Sequence, residues 1–283
     1  MKPLLKWAGG KARLAPAIEA AFGAPCIGTY HEPFCGSGAV FLYRRALGTI
    51  GADVVLSDAN PKLMAVHTML RDAVDDVLHE LTLLPEEDWK ERYYEIRDSF
   101  NGGPWGDPAH AARFIWLNRA SFNGLYRENR DGNFNVPVGR YAKVMLPSAA
   151  RFYEVHRALQ GVRLRTCTYA EALADVGRDD HVYCDPPYVP LSATAKFTAY
   201  TQGGFGLDDQ AGLAACARVA ADRGARVVLS NHDLPVVREH LYPLSDGFHH
   251  VGQPRVSRAI SRSAEARKAG AAELVARIGP RAA

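Results

Sequence analysis

Two stretches of the chain, residues 12–58 and 162–230, alternate short apolar runs of strand character with helical spacing. Between them lies a long segment with no strand pattern at all. Such alternation leaves few architectures open: parallel strands joined by helices that cover both faces of one sheet. In the first stretch, residues 12–22 have helical spacing, 29–34 read as a strand, 37–47 as a helix and 53–57 as a second strand. In the second, 162–167, 181–184 and 226–230 read as strands, with a helix over 207–221. Residues 245–251 and 272–278 are candidates to close the sheet.

From residue 61 to about 117 the pattern is helical throughout, and Trp89, Tyr93, Ile96 and Phe100 fall on one helix face as core candidates. Residues 123–141, rich in Gly, Asn, Asp and Arg, contain the turn signal Asp131-Gly132 and read as a loop or irregular hairpin. Segment 254–271, rich in Arg, Ser and Ala, reads as a mobile loop. The expected layout is one α/β domain, residues 1–62 and 147–283, with a mostly helical insertion at 63–146.

A chain of 283 residues can bury one sizeable core. No run approaches the roughly eighteen apolar residues of a membrane span. The five cysteines are scattered and form no Cys-x-x-Cys pair, which argues against a disulfide framework or a cysteine-rich zinc site and for a reduced cytoplasmic setting. His249-His250 lacks further ligands at metal spacing, so no metal is expected. The net charge of +3 says little, but its distribution is uneven. Residues 61–98 hold 5 Lys/Arg against 10 Asp/Glu, residues 113–165 hold 10 against 3, and residues 255–283 hold 7 against 2. The basic middle and tail can neutralise phosphates; a solvated basic face would look the same.

The most informative segment is Val182-Tyr-Cys-Asp185-Pro186-Pro187-Tyr188. A β-rich run ends at an acid, and two prolines with fixed φ and no N–H follow. The Asp185 carboxylate and the Pro186 carbonyl are then two acceptors in a stiff arrangement, with the Tyr188 ring close by. Acceptors so placed can grip both hydrogens of a planar base amine and free its lone pair for attack, while Tyr188 stacks on the base. A second constellation, His31-Glu32-Pro33-Phe34-Cys35-Gly36-Ser37-Gly38, sits between a strand and a helix, where Gly36 and Gly38 permit a tight turn and close approach of a ligand. It is no dinucleotide fingerprint, because Phe41 stands where the third glycine would be. Asp58 ends the next strand about twenty residues on, the usual place for an acid that holds ribose hydroxyls. A third, Lys6-Trp7-Ala8-Gly9-Gly10-Lys11, is no Walker A loop, since Leu5 and Ala12 occupy the required Gly and Ser/Thr positions. Lys11 can instead meet a ligand carboxylate, and Trp7 can lie along its apolar or planar part.

In this order the motifs resemble those of the Dam-like adenine-specific DNA methyltransferases, over nearly the whole chain. Lys6–Lys11, Glu32–Gly38 and Asp185–Tyr188 match the family's opening, cofactor and catalytic motifs. Three longer runs add to the match: residues 190–200, residues 229–233, and Asn123–Arg127 leading into Phe134–Tyr141. The resemblance implies a Rossmann-like S-adenosyl-L-methionine methyltransferase sheet with helices on both faces, plus a helical DNA-binding insertion bearing a hairpin. It implies catalytic roles for Asp185, Pro186 and Tyr188. Cofactor contacts fall on Trp7, Lys11, Asp58 and Asp185, with Phe34, Gly36, Gly38, Thr168 and Tyr169 beside them. Target-reading residues fall on Lys6, Phe122, Asn123, Leu125, Arg127, Pro137 and Tyr141. Phe122 stands where the family wedges an aromatic into the duplex. Arg127 has the fork to bind guanine, and Leu125 with Pro137 can touch a thymine methyl. The set looks like one that reads GATC in double-stranded DNA, with no obligate protein partner implied. The departure is the tip Glu128-Asn129-Arg130-Asp131, whose acids put flanking phosphate contacts in doubt. The alternatives are an RNA base-amine methyltransferase, which would not need the hairpin, and a catalytically silent DNA-binding protein on the same scaffold.

Overall fold

The computed structural model describes residues 1–190, 205–252, 255–256 and 271–279. Among these, strands β1 (Tyr30–Glu32), β2 (Val54–Asp58), β3 (Arg163–Thr166), β4 (His181–Cys184) and β5 (Arg226–His232) are joined in parallel pairs. They are followed by β6 (His249–Gly252), β7 (Arg255–Val256) and β8 (Ala271–Ile278), with β8 antiparallel to β5, β6 and β7. The order across the sheet is β3-β2-β1-β4-β5-β8-β6, with β7 pairing β8. The parallel core, reversed at one edge, is the Rossmann-like arrangement expected.

Prolines and glycines explain where elements end. Helix α1 (Ala15–Phe22) starts later than its spacing suggested, with Pro16 in its first turn. Pro33 follows β1 directly, and α2 (Ala39–Leu47) begins only after Gly36 and Gly38, both at positive φ. The helical stretch resolves into α3 (Pro61–Asp72), α4 (Val74–Thr82), α5 (Trp89–Gly102) and α6 (Pro108–Ala120). Asn60 and Asp107 cap α3 and α6 by accepting from Leu63 N at 3.1 Å and His110 N at 2.6 Å. Helices α7 (Ala149–Leu159), α8 (Tyr169–Leu173) and α9 (Leu207–Asp222) follow among the described residues. Residues 245–251 do not form one strand: Leu244–Asp246 is a 3-10 turn closed by Gly247 at φ +88°, and pairing starts at His249. Of segment 254–271, residues 255–256 and 271 belong to paired strands rather than a loop, and the remainder lies outside the described residues. So does the run 191–200.

The period of two along the strands divides the core. Val182, Cys184, Val227 and Leu229 pack with α9 on one face, while Tyr183 and Val228 point to the other. That second cluster runs without a break from α1 and the sheet into Val77, Tyr93, Phe114 and Trp116 of the helical segment. Trp89, Tyr93, Ile96 and Phe100 are all buried there, as their spacing predicts. Each such side chain contributes about 1.5–3 kcal/mol by burial, so helices and sheet stabilise one another.

Residues 121–138 form an irregular hairpin, with bridges at Ser121–Val138 and Glu128–Phe134. Helix α5 holds its second limb: Tyr93 Oη donates to Val136 O at 2.9 Å, and Asn101 both donates to Phe134 O at 3.0 Å and accepts from Phe134 N at 2.8 Å. No helix among the described residues is long and apolar enough to cross a membrane.

Candidate functional site

The chemistry-bearing residues converge at the C-terminal ends of the parallel strands, the edge where open α/β sheets bind ligands. Phe34 and Gly36 follow β1, Asp58 ends β2, Thr168 and Tyr169 follow β3, and Asp185 follows β4.

Asp185 leaves β4 and meets the N-terminal segment. Lys11 Nζ lies 2.9 Å from Asp185 Oδ1 and 4.6 Å from the centre of the Tyr188 ring, with both Lys11 and Asp185 largely buried. It also donates to Gly9 O. Burial pushes the Asp185 carboxyl up from the ordinary aspartate range, against the opposing pull of Lys11. Tyr188 is held at both ends: its hydroxyl donates to Glu273 Oε2 at 3.0 Å, and its ring meets the His232 edge at 4.9 Å. His232 itself bonds Val189 O through Nδ1 at 2.6 Å. Burial raises the Tyr188 hydroxyl well above its normal value, so it remains a donor.

The glycine loop is pinned to β2. Asp58 accepts from Gly36 N at 3.1 Å and Asn60 N at 3.0 Å, and burial outweighs these bonds to raise its carboxyl. His67, buried on α3, bonds Gly36 O at 2.8 Å. A Cβ on Gly36 would stand 2.8 Å from Trp7 Cδ1, so only glycine lets the Trp7 ring lie against the loop. Trp7 in turn stacks on Tyr126 at 5.5 Å and Phe114 at 6.5 Å, joining the loop to the hairpin. On the other side, Phe34 stacks on Tyr169 at 6.1 Å, and Phe205 meets both edge-on. Thr168 is occupied in a capping box with Glu171 at the start of α8.

Glu32, beneath this loop at the end of β1, is a buried carboxyl that accepts from Tyr30 Oη at 2.8 Å. Burial is the main cause that pushes it up to about 8. Its folded value therefore exceeds its unfolded one, and the native state binds more protons from about pH 4.5 up to about 8. Stability from this group is present in acid and is lost as pH rises through that window. Glu32→Gln should remove the dependence, so the melting temperature of the variant should gain on the parent as pH is raised from about 5 to about 8. A gap that stays constant across that range would show that Glu32 does not titrate there.

Most candidate reading residues form one cluster. Asn118, buried in α6, accepts from Lys6 N at 2.8 Å and donates to Lys6 O at 2.7 Å and Gly124 O at 3.3 Å. Lys6 Nζ lies 4.6 Å above the Tyr141 ring, and Phe122 N donates to Pro137 O at 2.9 Å. Asn123 takes a left-handed conformation at φ +55° beside them, and Leu125 N bonds back to Phe122 O. Pro137 is exposed and Phe122 half-buried. Arg127 stands apart and exposed, its Nε 2.6 Å from Asn135 Oδ1 and its Nη2 3.2 Å from Asn135 O.

The acidic hairpin tip has an internal partner that the sequence did not disclose. Lys62, buried on α3, lies 2.9 Å from Glu128 Oε1 and also donates to Gly132 O. Glu128 is thus balanced within the fold. Sequence reasoning also missed Tyr126, Phe205 and Gln210; a hydrophobic pattern cannot separate such residues from ordinary core or helix positions. Among the described residues, no group of three or more His, Cys, Asp or Glu could hold a metal.

DNA adenine methylases of Vibrio cholerae and Escherichia coli K12 are 40% and 38% identical to this chain over 237 and 242 residues, covering 82% and 84% of it and 82% and 83% of themselves. A Type II methyltransferase of Methanocaldococcus jannaschii, M.MjaIII, is 35% identical over 288 residues, covering 97% of this chain and 98% of its own. The sheet is also similar to an rRNA methyltransferase of Streptomyces viridochromogenes at 15% identity and a TM-score of 0.39, covering 94% of this chain and 84% of that one; so distant a likeness carries no argument. The family model described as D12 class N6 adenine-specific DNA methyltransferase matches residues 7–253, and the chain belongs to that family.

Proposed function

We propose that this DNA adenine methyltransferase uses S-adenosyl-L-methionine to methylate the N6 amine of an adenine turned out of double-stranded DNA, within GATC. The observation that carries the reading is the place of Lys11 Nζ, 2.9 Å from the Asp185 carboxylate and 4.6 Å from the Tyr188 ring centre. A nitrogen bearing N–H donors fits between acceptor and aromatic face, which is what a base amine requires. For the amine to take that place Lys11 must swing aside, and a ligand carboxylate offers it a new partner. A base inside a duplex cannot reach such a cleft, so it must leave the stack.

The residues present fit the cofactor. Gly36 lets the Trp7 ring close against the loop, and Asp58 is anchored by two backbone N–H groups with lone pairs to spare for ribose hydroxyls. The parallel Phe34 and Tyr169 rings suit a planar base, and Trp7 and Gly38 border the same loop. Thr168, already engaged in its capping box, contributes by orienting Tyr169. When bound, the cofactor supplies an electrophilic methyl. Asp185 and the Pro186 carbonyl hold the amine hydrogens, and Tyr188 orients the base. Residues 63–146 serve as the target-recognition insertion, with Lys6, Phe122, Asn123, Leu125, Arg127, Pro137 and Tyr141 facing the duplex.

A radiolabelled methyl-transfer assay on GATC duplex, duplex without GATC, and structured RNA tests the reading. Methylation confined to the GATC duplex is expected. Equal transfer to RNA would point to an RNA base-amine methyltransferase, and binding without transfer to a silent scaffold.

A further inference from the structure

The turn Asp185–Tyr188 is held from behind by two buried amides. Pro186 and Pro187 carry no N–H, so the turn cannot be secured by a backbone ladder of its own and depends on outside partners. Gln210, on α9 and fully buried, donates from Nε2 to Pro187 O at 2.6 Å. Its Oε1 accepts from Asn231 Nδ2 at 3.0 Å. Asn231, also fully buried, accepts through Oδ1 from Val189 N at 3.1 Å and His232 N at 2.8 Å. The carbonyl before Tyr188 and the N–H after it are therefore gripped by two side chains that grip each other.

A single orientation of the two amides closes this relay. Pro187 O requires a donor, which turns Gln210 Oε1 toward Asn231. Asn231 must then offer its NH2 group, leaving Oδ1 for the backbone N–H groups. Flipping either amide would set donor against donor or acceptor against acceptor in a buried site. Tyr242 Oη, 3.4 Å from Asn231 Nδ2, packs against the same point.

We propose that Gln210 and Asn231 are positioning residues for methyl transfer: by fixing the peptide units on either side of Tyr188, they set where the Pro186 carbonyl and the Tyr188 ring stand relative to the accepting amine. The proposal rests on the reading that Asp185–Tyr188 holds that amine. Reacting groups misplaced by about 1 Å can lose on the order of 100-fold in rate. Neither amide needs to touch a ligand for this effect.

The test uses Gln210→Met, which keeps the volume and loses the donor, and Gln210→Glu, which keeps the shape. Single-turnover rate constants are measured with duplex DNA carrying the target adenine, and burst amplitudes count the competent sites. Affinities for S-adenosylhomocysteine and for duplex DNA are measured in parallel. Gln210→Met should lower the rate constant about 10- to 100-fold, with both affinities within about threefold of the parent. For Gln210→Glu, the rate relative to the parent should rise as pH falls, because a protonated carboxyl can again donate to Pro187 O. A purely structural role predicts smaller amplitudes at an unchanged rate constant, and that result in Met together with a flat ratio in Glu overturns the proposal. Asp185→Ala is run alongside. If it retains the parent rate, the reading of the turn itself fails; if it is inactive while Gln210→Met is normal, only the positioning role fails.

Discussion

Asp185→Ala should reduce the single-turnover rate of methyl transfer about 100- to 1000-fold, the usual cost of removing an oriented electrostatic contact to a reacting group. The acceptor that remains, the Pro186 carbonyl, can hold one amine hydrogen but cannot orient both. The family resemblance also gives Asp185 a cofactor contact, so weaker cofactor binding should accompany the loss of rate. Saturating cofactor and duplex separate the two effects, since a binding defect disappears at saturation and a chemical one persists. Because burial raises the Asp185 carboxyl, the acid limb of the parent's rate profile should lie above the ordinary aspartate range. Near-parental turnover in the variant at saturation would remove the turn from the chemistry.

Arg127→Ala should relax the target sequence at one base pair. A guanidinium that grips both acceptors of a guanine contributes about 1–3 kcal/mol of discrimination there, and the other positions of the site should stay strict. The side chain is exposed but braced across the hairpin by Asn135, so part of any loss could come from the hairpin itself. Asn135→Ala removes the Oδ1 half of that brace and leaves the guanidinium, and it should weaken methylation without relaxing specificity. Rates on GATC and on each near-cognate duplex, with melting curves for both variants, distinguish the roles. A phosphate-contacting arginine would slow all sites together and lower the salt slope by about one. Uniform slowing on every duplex would place base reading elsewhere on the hairpin.

Much of the fold was legible because its punctuation is local. Pro61 marks the start of the helical stretch, and the strand runs read at 181–184 and 226–230 fall within two residues of the observed β4 and β5. The strand expected at 245–251 was misread because Gly247 admits a left-handed turn that an apolar pattern does not register. The motifs were legible for a related reason: each is contiguous, and its chemistry lies in neighbouring residue types. Partnerships were not. Lys62 and Glu128 lie 66 residues apart, and nothing in either neighbourhood announces the other. Gln210 reads as an ordinary polar residue at the start of a helix, and only the fold brings it against Pro187 O. Asn118 could have drawn notice, as an amide directly after the apolar run Phe114–Leu117.

The stitching of the N-terminal segment to α6 sets a timetable for the chain during its synthesis. Lys6 finds its bonding partner Asn118 only after 112 further residues have been made. At about 5–20 residues per second, that is on the order of ten seconds during which Trp7 has neither Phe114 nor Tyr126 to stack on. β1 waits longer still for β4. A nascent chain of this kind carries Trp7 without its stacking partners until residue 126 is made, and one edge of β1 unpaired until β4 is made. Its yield in a cell should therefore depend on how quickly the middle third of the message, which encodes Phe114, Asn118, Tyr126 and β4, is read.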